Sequence, residues 1–305
     1  MTDYGHDLLF GLFVTPSARD AQHVLDLAAT ADRTGLDLVT FQDHPYQPAF
    51  LDTWTLLSYA AARTERVRLA GNVLSLPLRP PAVLARAAAS LDVLSGGRFE
   101  LGIGAGAFWD GIAAMGGRRL TASQGVDALR EAVTIIRDLW DTDTRGGVRH
   151  EGRYYTMAGA KRGPKPAHDI QIWVGSYKPR MLALTGAVGD GWLPTVEYLP
   201  DGVASLPELN ARIDEAAVAA GRQPAEVRRL LNVMNVRFSP TSRGLLSGPP
   251  QQWVEQLADL ALSHGVTAVL VGGDDHTIAE RYAAEVTPAV RELVARERGV
   301  TGPAR

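Results

Sequence analysis

The segment Gln42-Asp43-His44-Pro45-Tyr46 brings a carboxylate, an imidazole and a phenol together inside one short stretch. An imidazole has an unperturbed pKa of about 6.5, so His44 suits proton transfer near neutral pH. The plainer reading makes His44 a polar strand end that caps the next turn. Asp43 would either hold the tautomer of the ring or cap the turn itself. Farther along, Gly102-Ile103-Gly104-Ala105-Gly106 runs into Ala107-Phe108-Trp109-Asp110, and Gly175-Ser176-Tyr177 runs into Lys178-Pro179-Arg180. Glycine lets a flat or phosphorylated ligand come close to the backbone. A helix opened by Pro179 presents free N–H groups and partial positive charge to an anion, and Lys178 or Arg180 would add to it. The alternative for that segment is a solvated charge pair. Phe108 and Trp109 suit either rim packing or ring stacking, and Asp110 suits either a ligand contact or the cap of a short helix over 111–115.

Other chemistries lack their residues. The chain contains no cysteine, which excludes disulfides, thiolate metal sites and catalytic thiols. Of the seven histidines only His44 falls at a predicted strand end that would face an active site, and no paired-histidine pattern supplies a metal centre. His6, His23, His150, His168, His264 and His276 read as surface or loop residues. The glycines of 102–106 resemble a dinucleotide loop only superficially, because the acidic residue expected at the end of the next strand is missing. In Gly272-Gly273-Asp274-Asp275 two carboxylates would repel a phosphate, so that segment reads as a tight turn and helix cap. A lyase or aldolase barrel would need a lysine inside the strand ring, and Lys161, Lys165 and Lys178 fit that poorly.

The elements that must position these residues alternate, short apolar runs with longer amphipathic ones, as βα units do. Strands are predicted at 8–14, 38–41, 67–73, 99–103, 170–174, 191–194, 230–237 and 268–271. Helices are predicted at 18–34, 52–62, 80–94, 122–140, 179–188, 206–220, 250–264 and 278–296. Eight such pairs predict an α/β fold, a (β/α)8 TIM barrel, with an open doubly wound sheet as the alternative. In a barrel the loops after the strands build the active site, which is where His44, Asn72-Val73, Gly104, Asp110, Gly175, Thr195 and Asn235 would all lie. The polar, glycine-rich stretch 141–168 breaks the rhythm and reads as an insertion on the barrel rim with a hairpin near 148–155. Residues 1–305 are read as one domain, with a weakly ordered tail at 299–305.

Composition agrees with this picture. In 305 residues, 46% are hydrophobic and 21% charged, with a net charge of −3, so no basic stripe suggests nucleic acid. No run of about 18 apolar residues suggests a membrane span. The amino terminus lacks a positive stretch before its apolar run and reads as a first strand, with the cytoplasm as the default location.

At these strand ends the sequence resembles the bacterial luciferase-like superfamily, and within it the coenzyme F420-dependent oxidoreductases, from Leu8 to about Val294. The matching pieces are the Phe41–His44 segment, Arg68–Val73 leading into Pro81–Ala85, Ser90–Phe99, Leu101–Gly106, Trp173–Ser176 and Gly189–Trp192. The resemblance implies coenzyme F420 as cofactor, with FMN as the alternative, and hydride transfer to or from a small organic substrate. It places Asp43 and His44 beside the cofactor ring, with His44 as the candidate acid. It makes Asn72–Val73 a non-proline cis peptide that bulges against the ring. Gly104 and Gly106 would lie close to the cofactor, and Asp110 would bond the ring edge. Gly175, Ser176 and Tyr177, with Lys178, would receive the phosphate, while Tyr46, Ala107 and Trp109 would wall the substrate side. An FMN enzyme would be a monooxygenase using dioxygen and a separate reductase; a cofactor-storing barrel without turnover is a further alternative. A homodimer is also implied. Sugar-phosphate dehydrogenases of this class have a glutamate where this chain has Ala107 and a tryptophan where it has Pro48. These departures, together with the lack of clustered lysine or arginine to read a sugar phosphate, argue against glucose 6-phosphate.

Overall fold

In a computed structural model, which describes residues 3–299, eight parallel strands close on themselves. They are β1 (Leu9–Val14), β2 (Leu38–Phe41), β3 (Arg68–Gly71), β4 (Phe99–Gly104), β5 (Ile172–Val174), β6 (Gly191–Trp192), β7 (Arg228–Val233) and β8 (Val266–Gly272). Each pairs with the next, and β8 returns to β1 through Leu9↔Ala268 to Phe13↔Gly272. Closure excludes the open sheet.

The helices are α1 (Ala21–Thr34), α2 (Thr53–Ala61), α3 (Pro81–Ser95), α4 (Trp109–Ala114), α5 (Ala122–Trp140), α6 (Pro179–Val188), α7 (Leu206–Ala219), α8 (Pro250–Leu262), α9 (His276–Arg281) and α10 (Thr287–Glu297). Their ends carry local signals. Asp20 accepts the His23 amide at 3.0 Å, Asp52 accepts that of Thr55 at 2.9 Å, and Thr121 with Gln124 forms a reciprocal capping box. Gly35 takes a left-handed φ of 83° just past α1. The predicted closing helix is two helices, α9 and α10, joined by a wider turn over Tyr282–Val286.

Two apolar layers hold the barrel. Outside it, helix residues such as Leu27, Leu57, Leu129, Ile136, Leu182 and Trp253 are buried against the strands. Inside it, Phe13, Leu38, Ala70, Trp173, Leu193, Leu230, Ala268 and Leu270 fill the lumen, as barrel layers do. Each fully buried aliphatic side chain contributes about 1.5–3 kcal/mol.

At the N-terminal end of the barrel, buried Glu100 accepts from Arg68 at 2.7 Å and from the Gln171 amide at 2.8 Å. His168 sits between it and buried Asp92, with ring contacts of 3.3 and 2.7 Å. His168 lies in a loop, as read from the sequence, and has a structural task there. It fastens the end of the 141–168 stretch under the barrel. Within that stretch Val148–Glu151 and Thr156–Ala160 form an antiparallel hairpin. Residues 300–305 of the expected tail lie outside the described residues.

Candidate active site

The third strand is where sequence and structure differ most usefully. It is predicted as one run over 67–73, but the ladder stops at Gly71 and resumes at Leu74–Ser75, which pairs with Ile103–Gly104. Between the two pieces the Asn72–Val73 peptide is cis. Both side chains meet the barrel interior: Asn72 bonds across it, and Val73 packs against the lumen layer. A Cβ on Gly104 would come within 2.8 Å of Val73 Cγ2, and one on Gly175 within 2.9 Å. A Cβ on Gly102 would meet the Gly71 carbonyl oxygen at 1.9 Å. The glycines predicted to admit a cofactor thus also make room for this kinked strand. Gly175 also spends its amide on the Ile103 carbonyl at 3.2 Å, so it does not offer that amide to a phosphate.

At the exit of β2, His44 is half-buried and its Nδ1 lies 2.7 Å from the Tyr46 hydroxyl. Phe108 meets the imidazole edge to face at 5.3 Å, and Phe50 lies 6.2 Å away. Tyr46 is packed on Gly111 of α4, where a Cβ would come within 2.7 Å of its ring. Burial holds the His44 pKa below its usual value against the opposing charge of Asp43. Burial, and then Asp43, pushes the Tyr46 phenol up to about 12, so it stays protonated and can donate to Nδ1. The protonated hydroxyl can donate to Nδ1, leaving the ring proton on Nε2, or accept from Nδ1–H, leaving Nε2 free to take a proton. In both arrangements Nε2 is the ring nitrogen that Tyr46 leaves for a ligand.

Asp43 does not reach the ring. Its buried carboxylate takes a forked pair of bonds from Arg79 at 2.8 and 2.9 Å and the Ser75 amide at 2.9 Å. Arg79 also bonds Asp52 at 2.7 Å. Asp43 therefore anchors the strand-three exit to β2, and the tautomer-holding role falls to Tyr46. Arg79 was missed; the signal was an arginine inside the apolar run Leu76-Pro77-Leu78-Arg79-Pro80.

The remaining predicted residues divide. Gly106 adopts φ 95° and faces Pro77, Trp109 and Ile112. Trp109 is folded inward against Gly106 and Gly125, so it packs the rim, and the aromatic beside His44 is the exposed Phe108. Ala107 is exposed. Asp110 projects into solvent in the first turn of α4 and pairs with Arg119. At β5, the Ser176 hydroxyl turns inward to Thr185 at 3.0 Å and its carbonyl accepts from Trp192 at 2.8 Å. The Tyr177 hydroxyl accepts the Thr195 amide at 2.9 Å. Among the described residues, the backbone amides of Ser176, Tyr177 and Lys178 have no partner at the start of α6. This is a place where an anion could be held. Asn235 lies beyond β7, its amide held by Glu197 at 3.2 Å. A groove of about 410 Å³ opens there, lined by Val196, Glu197, Val233, Asn235 and Arg243. A second concavity, about 380 Å³, lies between α2 and α3 on the outer wall, away from the strand ends. Among the described residues no group of three His, Asp or Glu side chains could hold a metal ion.

The profile described as luciferase-like monooxygenase matches residues 4–236. The chain belongs to that family. Among curated relatives, the F420-dependent glucose-6-phosphate dehydrogenase of Kribbella flavida is 33% identical over 217 residues, 69% of this chain. The chain spans 63% of that relative's length. The enzyme of the same name from Microbacterium testaceum is 27% identical, across 94% of this chain and 99% of the relative. Of solved structures, an F420-dependent secondary alcohol dehydrogenase with an F420–acetone adduct superposes with a TM-score of 0.81 at 18% identity, covering 93% of this chain and 99% of that one. The oxygenating constituent of 3,6-diketocamphane monooxygenase from Pseudomonas putida, in complex with FMN, gives 0.74 at 20% identity over the same shares. These structural likenesses establish the fold of the luciferase-like family members for this chain.

Proposed function

We propose that this protein is a coenzyme F420-dependent oxidoreductase that exchanges a hydride with a small, unphosphorylated organic substrate. The observation that carries the reading is the Val73 ledge, set against Gly104 and Gly175 at the barrel mouth, with His44 at the exit of the adjacent strand β2. The names of the curated relatives supply the cofactor. The residues present fit a flat tricyclic group with an anionic tail: an apolar ledge for the ring, and the amides of Ser176, Tyr177 and Lys178 at the α6 start for the phosphate.

When bound, the deazaflavin supplies the two-electron hydride chemistry. The chain supplies the rest. His44 Nε2 gives a proton to, or takes one from, the substrate oxygen, while Tyr46 holds Nδ1. Phe108 packs edge to face on the same imidazole.

The substrate is the finer part of the proposal. Ala107 and Pro48 stand where sugar-phosphate dehydrogenases of the class have acid and aromatic groups. Near His44, Arg79 is consumed by Asp43 and Asp52, and Arg119 is paired with Asp110. Both features support an uncharged substrate over glucose 6-phosphate. FMN is the second reading, favoured by the family's monooxygenase description. Titration of the apoprotein with each cofactor, followed by its visible spectrum, separates the two. The proposal expects tight uptake of coenzyme F420, little of FMN, and turnover with a panel of ketones and alcohols. Preference for FMN overturns the cofactor assignment, and F420 uptake without any hydride exchange would leave a cofactor-storing barrel. A homodimer belongs to the same proposal and is checked by light scattering.

A further inference from the structure

The barrel interior is apolar through its middle layer, yet the layer just under the mouth is polar. Asn72 of the third strand and Asn232 of β7 face one another across the lumen, on strands diametrically opposed in a ring of eight. Asn72 Nδ2 donates to Asn232 Oδ1 at 2.8 Å, and Asn232 Nδ2 donates back to Asn72 Oδ1 at 3.1 Å. The two N–H bonds left over go to Thr40 Oγ1 at 3.0 Å and Thr195 Oγ1 at 3.2 Å. Each carboxamide has two donor hydrogens, so both are fully used. Asn232 is 1% exposed and Asn72 8%. Buried amides in such a closed network have one low-energy arrangement, because any other leaves donors unpaired in an apolar surrounding.

We propose that Asn232 is a positioning residue, whose reciprocal amide pair with Asn72 fixes the Val73 ledge on which the cofactor ring rests. The inference deepens the F420 reading and depends on it for the ligand. Val73 follows Asn72 directly, so a rotation of the Asn72 side chain and its backbone shifts the valine. On its other side Val73 is confined by Gly104 and Gly175, which have no side chain to follow it. The tie therefore governs one face of the mouth from 160 residues away.

The test uses the full-length apoprotein as wild type, Asn232→Ala, Asn72→Ala and the double variant. Val73 methyl resonances are read by NMR without cofactor, and coenzyme F420 affinity by quenching of its fluorescence. Support requires that Asn232→Ala move the Val73 methyl signals and weaken F420 binding at least about tenfold, the scale set by one buried amide left unpaired. It also requires that the double variant bind no more weakly than Asn72→Ala alone. A loss of less than about tenfold, unmoved Val73 methyl signals, or a double variant that binds more weakly than Asn72→Ala alone overturns the proposal. Should Asn232→Ala not fold, the isosteric Asn232→Asp, which keeps only the acceptor for Asn72, is held to the same criteria. Failure of wild type to take up F420 would sink the cofactor reading, while the methyl shifts still judge the tie between Asn232 and the ledge.

Discussion

His44 Nδ1 and the Tyr46 hydroxyl are 2.7 Å apart, and burial holds the phenol protonated. Tyr46 thereby occupies Nδ1 and leaves Nε2 for exchange, and burial keeps the imidazole neutral to a pH below its ordinary 6.5. Replacing His44 by Asn is expected to lower turnover by about 10²–10⁴, the range of a lost general acid or base, while F420 affinity stays within a few-fold. The sign of the pH dependence follows from the direction of the shift. Where the neutral ring accepts a proton, activity falls on acidification only below 6.5; where the imidazolium donates, activity rises over the same interval. A kcat/KM profile for wild type and His44→Asn checks this. An acid limb above 6.5, or one unchanged in the variant, contradicts it.

Arg79→Ala removes both guanidinium bonds to a carboxylate that is almost wholly buried. An uncompensated buried charge typically costs about 3–5 kcal/mol. Urea unfolding should show a loss of that size for Arg79→Ala and a smaller one for Arg79→Ala combined with Asp43→Asn. Equal losses would mean that the pair is not acting as a unit.

His168 titrates in the opposite sense to His44. Its hydrogen bond to Glu100, reinforced by the charges of Glu100 and Asp92, raises its pKa above 6.5 against the effect of burial. The folded state therefore holds the proton more tightly than the unfolded chain does. Its contribution to stability is fully present below 6.5 and is lost as pH rises through the folded value. Unfolding free energy measured against pH should decline over that interval in wild type and be flatter in His168→Gln. Parallel curves would remove His168 from the account.

Gly104→Ala would set a methyl 2.8 Å from Val73 Cγ2. Overpacking of this kind costs about 1–3 kcal/mol. Val73→Ala in the same chain removes the clashing atom and should return most of the loss. Thermal unfolding of the two single variants and the double reads the coupling directly. Simple additivity would show that the glycine is there for another reason.

Much of the frame could be read from the chain alone. α5 and α6 occupy the predicted 122–140 and 179–188, because a capping box and an N1 proline announce their starts and an amphipathic period carries them through. The predicted 67–73 strand illustrates the limit. Periodicity carried the run through to Val73, and only the resemblance carried by Arg68–Val73 marked Asn72–Val73 as a bulge; that the ladder stops at Gly71 and resumes at Leu74 was not read. Asn232 inside Leu230-Leu231-Asn232-Val233 was a visible anomaly, a polar residue at a lumen position, but its partner lay 160 residues back.

What the residues dictated by themselves is the succession of strands and helices, the helix ends, and the list of side chains brought to the mouth. These follow from short-range periodicity and capping, which act within a few positions along the chain. Closure of the barrel decided the rest: that Asp43 serves Arg79 and not the imidazole, that Phe108 and not Trp109 meets His44, and that two amides span the lumen. Those pairings depend on strand register and on which small residues leave space, quantities that exist only once β8 has returned to β1.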